Sequence, residues 1–443
     1  MRFCFSRMIL TIIIGTLLTG FISAQNIQKL SLDECIQVGL ENSRGIHTAK
    51  MKVVSADAKI DEINSQMLPS LNFNAIYTRL SKINPYAITT PFGTFYLTQN
   101  IPNNYRLQLT LSQPVFTGFR LSSTHKIAEL NSLASREDLS QTEQQLILNI
   151  KNFYWSLFKA NKIKEVVDEN VGQIKAHLKD GENLFDQGLA TKNDVLKVKV
   201  QLAEAQLRQI DAQNSVKLAM TNLANIIEIP LTTEIQVQDT VTAKLETIED
   251  LEILKEKAAG NRPELKAMDY RVKAGETGID IAQSGWFPQI YLNGNYHYDN
   301  PNQRYFPIQE KFKNSWDVNV TLSFDIWNWN KTGSQTEQAK ADFEQAKDSY
   351  KLLNDAVALQ VTQSYLNLVQ AKEKLSVSEF SVEQAEENYR VTSELFKQGL
   401  ILNSELLDVE VALLQAKTNY VQTLVDYELA KANLERAVGE KNL

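Results

Sequence analysis

The chain has 443 residues, a length that usually indicates two or three domains, and a formal net charge of −7. This acidic balance argues against nucleic acid as a partner, because phosphate binding needs a basic surface. Only 2 Cys and 4 His are present, which leaves almost no room for a disulfide framework or a structural zinc site. Pro and Gly number 10 and 17, about half of average usage, so the composition predicts long helices.

The first 24 residues have the pattern of a secretory signal peptide. Arg2 and Arg7 give a basic start, an apolar run follows from Met8 to Leu18, and the segment ends in small residues before Ala24. The apolar run is short for a membrane anchor, which needs about 20 residues. We therefore expect residues 1–24 to be removed during export from the cytoplasm.

Two stretches without proline predict very long helices. No proline lies between Pro114 and Pro230 or after Pro307, and both stretches are rich in Ala, Leu, Glu, Gln and Lys. We expect helices from about Phe119 to Gln187 and from Gly333 to Gln398, each roughly 100 Å long at 1.5 Å per residue.

The two halves of the chain repeat each other. Asn183–Leu189 matches Glu394–Leu400, and Leu68–Tyr77 resembles Phe287–Tyr296 in the same order. The long period indicates a duplication rather than a solenoid. The predicted organisation is a first repeat over residues 25–229, a linker over 230–249 and a second repeat over 250–443.

Apolar heptads follow each Gln-Gly-Leu sequence and predict coiled-coil hairpins. Gly188 and Gly399 mark the reversals, where glycine supplies the left-handed backbone. The seams begin with Val195, Val198, Leu202 and Ala205 in the first copy, and with Leu406, Val409, Leu413 and Ala416 in the second. Opening helical regions are predicted near residues 31–67 and 250–285, the first with a capping box at Ser31–Glu34.

Four segments alternate apolar and polar residues, as strands do when only one face is apolar: Leu71–Tyr77, Tyr105–Ser112, Ile290–Tyr298 and Trp316–Phe324. Outer-membrane strands and a half-buried soluble sheet both give this pattern. Aromatic residues around the strands favour the membrane interpretation, namely Phe116, Phe119, Trp286, Phe287, Trp327 and Trp329. One hairpin is expected at about 70–116 and another at about 288–326.

Four strands cannot close a transmembrane barrel, which needs at least about eight. An open edge in lipid would leave backbone groups without hydrogen bonds. If these strands enter a membrane, several chains must share one barrel, and three chains would supply 12 strands.

In the order of its elements the chain resembles the TolC-like outer membrane factor (outer membrane efflux protein) family. The resemblance covers almost the whole mature chain and includes the Leu-Phe-x-x-Gly-Leu tips and the strand-to-helix joints Gln113–Gly118 and Phe324–Asn330. It implies a mainly α fold with a β-barrel part, assembled as a homotrimer. Long helical hairpins would form a periplasmic tunnel below a 12-stranded barrel in outer-membrane lipid, and the linker would join an equatorial belt.

The implied function is the exit duct of a tripartite efflux or type I secretion system in a Gram-negative bacterium. Such a duct works with a periplasmic adaptor (membrane fusion) protein and an inner-membrane efflux pump or ABC transporter. The hairpin tips would contact the adaptor through Gln187, Gly188, Leu189, Gln398, Gly399 and Leu400. Nothing in the sequence selects drugs, metals or proteins as the exported substrate.

The resemblance also implies a constriction at the periplasmic tunnel end. Glu405 and Asp408 occupy the positions of the family's acidic lining residues, and Asp194 matches a gate residue, whereas Lys197 breaks the acidic pattern in the first copy. Without the resemblance, Glu405 and Asp408 would indicate only a solvated helix face.

Two residues depart from the family's best-known gate. That gate uses a Tyr three residues before the second tip glycine and an Arg two residues after it, but this chain has Phe396 and Ile401. The polar bonds of that gate cannot form here, and the sequence leaves open which contacts hold the tunnel closed.

The sequence contains no enzyme motif and predicts no cofactor or metal site. His47, His125, His177 and His297 have no partner at metal or triad spacing and are expected to be lone surface residues. A secreted coiled-coil scaffold or adhesin without a pore remains the alternative to the export duct. The alternating strands and paired Gly-Leu tips favour the duct.

Overall fold

A computed structural model describes residues 27–84, 86–96, 100–238 and 247–440. The predicted signal peptide lies outside these residues. The first repeat contains β1 (Ile27–Leu30), α1 (Leu32–Asn42), α2 (Arg44–Gln66), β2 (Ser70–Arg79), β3 (Ala87–Thr90), β4 (Gly93–Tyr96), β5 (Asn103–Thr117), α3 (Arg120–Asp186) and α4 (Lys192–Ile226). After β6 (Glu234–Val237), the second contains α5 (Leu251–Asn261), α6 (Pro263–Gln283), β7 (Gln289–Asn300), β8 (Lys313–Ser323), α7 (Lys331–Lys397) and α8 (Asn403–Val438).

The two long helices are confirmed, and α3 and α7 each contain 67 residues. Left-handed residues precede each helix, with φ of 64° at Gly118 and 67° at Phe119, and of 53° at Trp329 and 61° at Asn330. In the first repeat these residues directly follow β5, and in the second they lie several residues after the end of β8. In both repeats the left-handed conformation turns the chain into the long helix.

The predicted coiled-coil hairpins are also present. Helix α3 packs along α4, α7 packs along α8, and α3 packs against α8. The helices of the two hairpins therefore lie in the order α4, α3, α8, α7. Seam residues such as Val198, Ala205, Leu406 and Leu413 are buried, as the heptads predict.

Each opening helical region is two helices rather than one. Extended residues separate them, with φ and ψ of −61° and 119° at Ser43 and of −62° and 120° at Arg262. Pro263 explains the second break, because a residue before proline is driven out of the helical region. At the first break, the Ser43 side chain accepts a hydrogen bond from the backbone N–H of Ile46 and caps α2. The capping box at Ser31 and Glu34 is confirmed.

The four predicted strands form one antiparallel sheet in the order β2, β5, β7, β8. Strands β5 and β7 join the two repeats, with Thr110 opposite Asn295, and Asn295 lies opposite Asp317 of β8. Strands β2 and β8 are the edges of this sheet and have no second neighbour among the described strands. The β3–β4 hairpin and the parallel β1–β6 pair were not predicted.

The two faces of the sheet have opposite chemistry. Apolar side chains such as Phe73, Trp316 and Val318 are exposed on one face. On the other face, the side chain of Asn295 accepts hydrogen bonds from Gln108 at 3.1 Å and from Thr110 at 2.9 Å. This division is the one expected for lipid on one side and water on the other.

The main hydrophobic core surrounds the middle of α3, where Tyr154 and Leu157 are fully buried. Arg262, at the break between α5 and α6, closes this region at the end of α8. Its guanidinium donates to the carbonyl oxygens of Arg436 at 3.1 Å and Ala437 at 3.0 Å, which satisfies groups that a helix end leaves free.

Candidate tunnel end and hairpin tips

The two hairpin tips have the same backbone structure. The tip glycines are left-handed, with φ of 77° at Gly188 and 72° at Gly399. The amide of Leu189 donates to the carbonyl of Leu184 at 2.8 Å, and the amide of Leu400 donates to that of Leu395 at 3.0 Å. These bonds end α3 and α7 with the hydrogen-bonding pattern of a glycine C-cap.

Each tip presents a leucine to solvent. Leu189 is 70% exposed and Leu400 is 65% exposed. The preceding residues, Gln187 and Gln398, are the C-cap residues of the long helices and are exposed as well. All six predicted tip residues therefore lie at the two reversals. The glycine C-cap alone explains the two glycines, so their presence does not require a binding partner.

Asp194 belongs to a capping box at the start of α4. Its carboxylate accepts hydrogen bonds from the hydroxyl of Thr191 at 2.6 Å and from the Thr191 backbone amide at 3.1 Å. The Thr191 side chain in turn accepts from the Asp194 amide at 3.2 Å. The hydroxyl hydrogen bond, with the amide second, lowers the pKa of Asp194. This carboxylate is committed to the helix start.

The second tip has no such cap. Leu402 is the N-cap residue of α8 and makes no side-chain capping bond. Glu405 and Asp408 are exposed on the first turns of α8, and neither carboxylate is paired with any residue that the structure describes. They form a negatively charged face close to the tip.

The starts of α4 and α8 lie together. The side-chain amide of Asn403 donates to the backbone carbonyl of Asp194 at 3.5 Å. The structure thus brings Asp194 to the same end as Glu405 and Asp408.

His177 is not the lone surface residue that we expected. It lies on α3 and is buried, with Nδ1 3.1 Å and 3.2 Å from the two carboxylate oxygens of Glu410. Its Nε2 lies 2.8 Å from Oδ1 of Asn403. The expectation was also wrong for His297, whose Nε2 lies 3.1 Å from Asp317 on the polar face of the sheet.

A heptad reading of α3 would have indicated the burial of His177. Asn170, Ile174, His177 and Gly181 are all buried on α3 at alternating spacings of four and three. On α8, Glu410 is buried although its neighbour Val409 was assigned to the seam. The seams were assigned only on the helices that follow the tips, and the α8 seam ran through Val409, so the buried polar pair was missed.

Phe396, three residues before Gly399, is one of the two residues that depart from the gate implied by the resemblance. It is buried, and its ring packs edge-on against His177 with the ring centroids 4.7 Å apart. The departure from the family pattern therefore places an apolar ring over the buried pair.

Farther from the tips, polar pairs connect α3 to α8. Glu169 and Lys417 lie 2.9 Å apart, Lys159 donates to Gln422 at 3.1 Å, and Lys151 donates to Glu435 at 2.8 Å. Polar pairs therefore connect the two hairpins at several levels along α3, in addition to the apolar contacts of the main core.

Within the described ranges, no group of three or more His, Cys, Asp or Glu side chains is arranged to hold a metal ion. None of the helices in those ranges combines the length and hydropathy of a membrane-spanning helix.

A family model described as "Outer membrane efflux protein" matches residues 35–227 and 254–440. The chain is similar to the Outer membrane protein TolC of Escherichia coli, at 23% identity over 98% of this chain and 87% of that protein. It is also similar to the Alkaline protease secretion protein AprF of Pseudomonas aeruginosa, at 22% identity over 84% of this chain and 77% of the relative.

The fold matches that of the outer membrane protein VceC of Vibrio cholerae. The TM-score is 0.77 at 17% identity, and the match covers 92% of this chain and 96% of the VceC chain. These similarities support the export duct and do not support the scaffold or adhesin.

Proposed function

Because the chain belongs to the outer membrane efflux protein family and is an exit duct of the Gram-negative outer membrane, we propose that it works as a homotrimer within a tripartite export system. An inner-membrane pump or ABC transporter would deliver the substrate, and a periplasmic adaptor would connect that pump to the duct. The family model is described as an efflux protein and AprF is named for protease secretion, so we propose two classes of cargo, small molecules and proteins. We propose no catalysis and no cofactor for the chain.

The open sheet carries this proposal. Strands β2 and β8 end the four-stranded sheet, and in lipid their free backbone groups must find partners. Pairing β8 of one copy with β2 of the next satisfies both edges, and three copies give 12 strands. A barrel of that size has room for a water-filled lumen.

The helices support the same head-to-tail contact. Helices α4 and α7 lie at the two ends of the hairpin order, and each exposes a line of apolar side chains that none of the described residues covers. The exposed residues include Leu196, Val200, Leu207, Ile210 and Leu218 on α4, and Leu352, Leu359, Leu366, Val377 and Phe380 on α7. Apolar surface of this extent is typical of a protein interface, so α7 of one copy would pack against α4 of the next.

We propose that Glu405 and Asp408 line the periplasmic constriction, with Asp194 beside them. Their exposed, unpaired carboxylates lie three residues apart on α8, which places them on one helix face. Threefold symmetry would convert them into two acidic rings that favour cations over anions.

We further propose that the adaptor docks on the two tips. Exposed leucines at both reversals cost free energy in water and become favourable when a partner covers them. Leu189 and Leu400 would be the apolar contacts, while Gln187 and Gln398 supply hydrogen-bonding groups beside them.

The test is reconstitution of the purified protein into planar lipid bilayers, with the oligomeric mass measured in detergent. We expect a trimer that conducts ions. A monomeric protein that partitions into water and gives no conductance would overturn the duct and support a scaffold. Cross-linking from cysteines placed at residues 189 and 400 in cells should recover a periplasmic adaptor, and cysteines at residues 52 and 266 serve as controls.

A further inference from the structure

A buried charged pair joins the two hairpins close to the proposed constriction. His177 comes from α3 in the first hairpin and Glu410 from α8 in the second, and both side chains are only 2% exposed. Asn403, at the start of α8, completes the cluster through its contact with the other ring nitrogen. We refer to His177, Glu410 and Asn403 as the hairpin latch.

The hydrogen-bonding geometry of the latch suits a ring that donates from both of its nitrogens. Because the Asn403 amide group donates to the Asp194 carbonyl, its oxygen is the atom that faces Nε2 of His177. Both ring nitrogens therefore face oxygen acceptors, and both donate when the ring is an imidazolium. The positive ring and the Glu410 carboxylate then form a neutral buried pair with every bond satisfied.

The other contacts between the two hairpins near the tips are more exposed to solvent or bury less surface than the latch. Lys417 of α8 pairs with Glu169 of α3 at 2.9 Å, but the Glu169 carboxylate is about half exposed, so solvent screens the attraction. Leu407 of α8 adds an apolar contact to the small cluster around Val198. The latch is the fully desolvated connection in this part of the tunnel.

We propose that the hairpin latch holds the second hairpin against the first and keeps the periplasmic end closed, and that a change in its proton count releases it. This inference rests on the proposed constriction. Gaining a proton on Glu410 leaves a buried cation, and losing one from His177 leaves a buried anion. Either unpaired charge is strongly unfavourable in the interior. Separating the hairpins exposes the charge to water and relieves that cost.

Other charged and titratable groups lie near the latch on α3, α4, α7 and α8. Tyr389 lies on α7, and burial, followed by the charge of Glu410, raises the pKa of its hydroxyl. Glu169 and Asp180 lie on α3, Lys417 on α8, and Asp194 on α4. The raised pKa keeps the Tyr389 hydroxyl neutral, so the two charges inside the latch are those of His177 and Glu410.

The experiment records single-channel conductance of the purified trimer in planar bilayers from pH 5 to pH 9. The variants are His177→Leu, Glu410→Leu and the double variant carrying both. Each single variant leaves one buried charge without its partner, so the open fraction at pH 7 should rise at least about tenfold. The double variant removes both charges and keeps an apolar contact, so it should close like the parent protein.

The pH profile separates a latch from simple packing. In the parent protein the open fraction should be lowest near neutral pH and rise toward both ends of the range. In the double variant this response should disappear, while a control double variant in an exposed pair of α3, Lys162→Leu with Glu165→Leu, should keep it. Tyr389→Phe should also keep the parent profile.

The outcomes are distinct. If the parent trimer forms no channel, the proposed function fails. If it conducts but the double variant keeps the parent pH profile, the duct stands and the latch is wrong. If a single variant fails to fold, the double variant alone decides, because both of its buried charges are gone.

Discussion

Lys151 of α3 donates to Glu435 of α8 across 2.8 Å, with the two side chains only 15% and 20% exposed. This pair connects the two hairpins at the level of the main core. It is therefore the counterpart, near the middle of α3, of the latch near the tips.

Replacing Lys151 with Met should destabilise the protein by about 1–3 kcal/mol, because the change leaves a mostly buried carboxylate without its partner. Thermal unfolding of the detergent-solubilised trimer, followed by circular dichroism, measures the effect. The matched control is Lys162→Met, in a pair whose side chains are largely exposed, which should cost less than about 0.5 kcal/mol. Equal melting temperatures for the two variants would contradict this expectation.

Gly118 joins β5 to α3 and should not tolerate a side chain. Its φ is +64°, and an added Cβ would lie 2.6 Å from the carbonyl oxygen of Ser284 and 2.9 Å from Cβ of Phe287. Gly118→Ala should therefore sharply reduce the yield of assembled trimer on native gels. Gly172→Ala, in the middle of α3 with open space around it, should instead raise stability by up to about 1 kcal/mol. The prediction fails if Gly118→Ala assembles as well as Gly172→Ala.

The two faces of β8 should respond differently to charge. Val318 is exposed on the apolar face, and its neighbour Asn319 lies in the polar network beside Asn293. Val318→Arg should cost about 2–4 kcal/mol if the residue lies near the bilayer midplane, while Asn319→Arg should be tolerated. The amount of trimer extracted from outer-membrane fractions reports the difference. Equal yields would place both faces in water.

The stability of the capping box at the first tip should depend on pH. Hydrogen bonds to Thr191 hold the pKa of Asp194 below its ordinary value, so the carboxylate adds stability in full above about pH 4. That contribution falls away as the pH drops through the lowered pKa. Hydrogen exchange in the first turn of α4, corrected for intrinsic rates, should accelerate at low pH. Thr191→Val removes the hydroxyl but keeps the backbone amide, so it should weaken this acid response at the cost of about 1 kcal/mol.

The uncapped second tip offers the reverse experiment. Leu402→Thr would place a threonine three residues before Glu405, in the arrangement that Thr191 and Asp194 have in the first tip. The new cap should stabilise the start of α8 by about 1 kcal/mol. Slower hydrogen exchange in that turn is the expected result. An unchanged rate would show that the Glu405 side chain does not accept a hydrogen bond from the backbone amide of residue 402.

Removing the acidic face near the tip should weaken cation selectivity. In Glu405→Gln combined with Asp408→Asn, the reversal potential under a salt gradient should shift toward zero, because the charge that attracts cations is gone. Glu344→Gln combined with Asp348→Asn, on the exposed surface of α7, serves as the control and should leave selectivity unchanged. An unaltered reversal potential in the first variant would remove these residues from the constriction.

The sequence predicts the elements that local patterns determine. The proline-free runs predict the long helices, and Gly188 and Gly399 predict their reversals. Both predictions succeed because helix formation depends mainly on residues that are close together in the sequence. Alternation with a period of two likewise identifies β2, β5, β7 and β8.

What the sequence does not show depends on distant partners. Strand β1 has four residues and pairs with β6 about 200 residues away, so no local period marks it. His177 and Glu410 are 233 positions apart, and each becomes intelligible only when α3 lies beside α8. The break at Arg262 is the exception, because Pro263 was visible in the sequence and should have predicted it.

The free edges of β2 and β8 have a consequence for biogenesis. A newly exported chain has two strand edges with free backbone hydrogen-bonding groups, and any extended polypeptide could pair with them. A single chain is therefore prone to aggregation. The free edges are paired only when the barrel closes. Chains must therefore associate while they insert into the membrane and not afterwards, so the yield of closed barrels should depend on the concentration of exported chains. Dilution of the exported chain should therefore lower the yield of mature protein more steeply than in proportion to its supply.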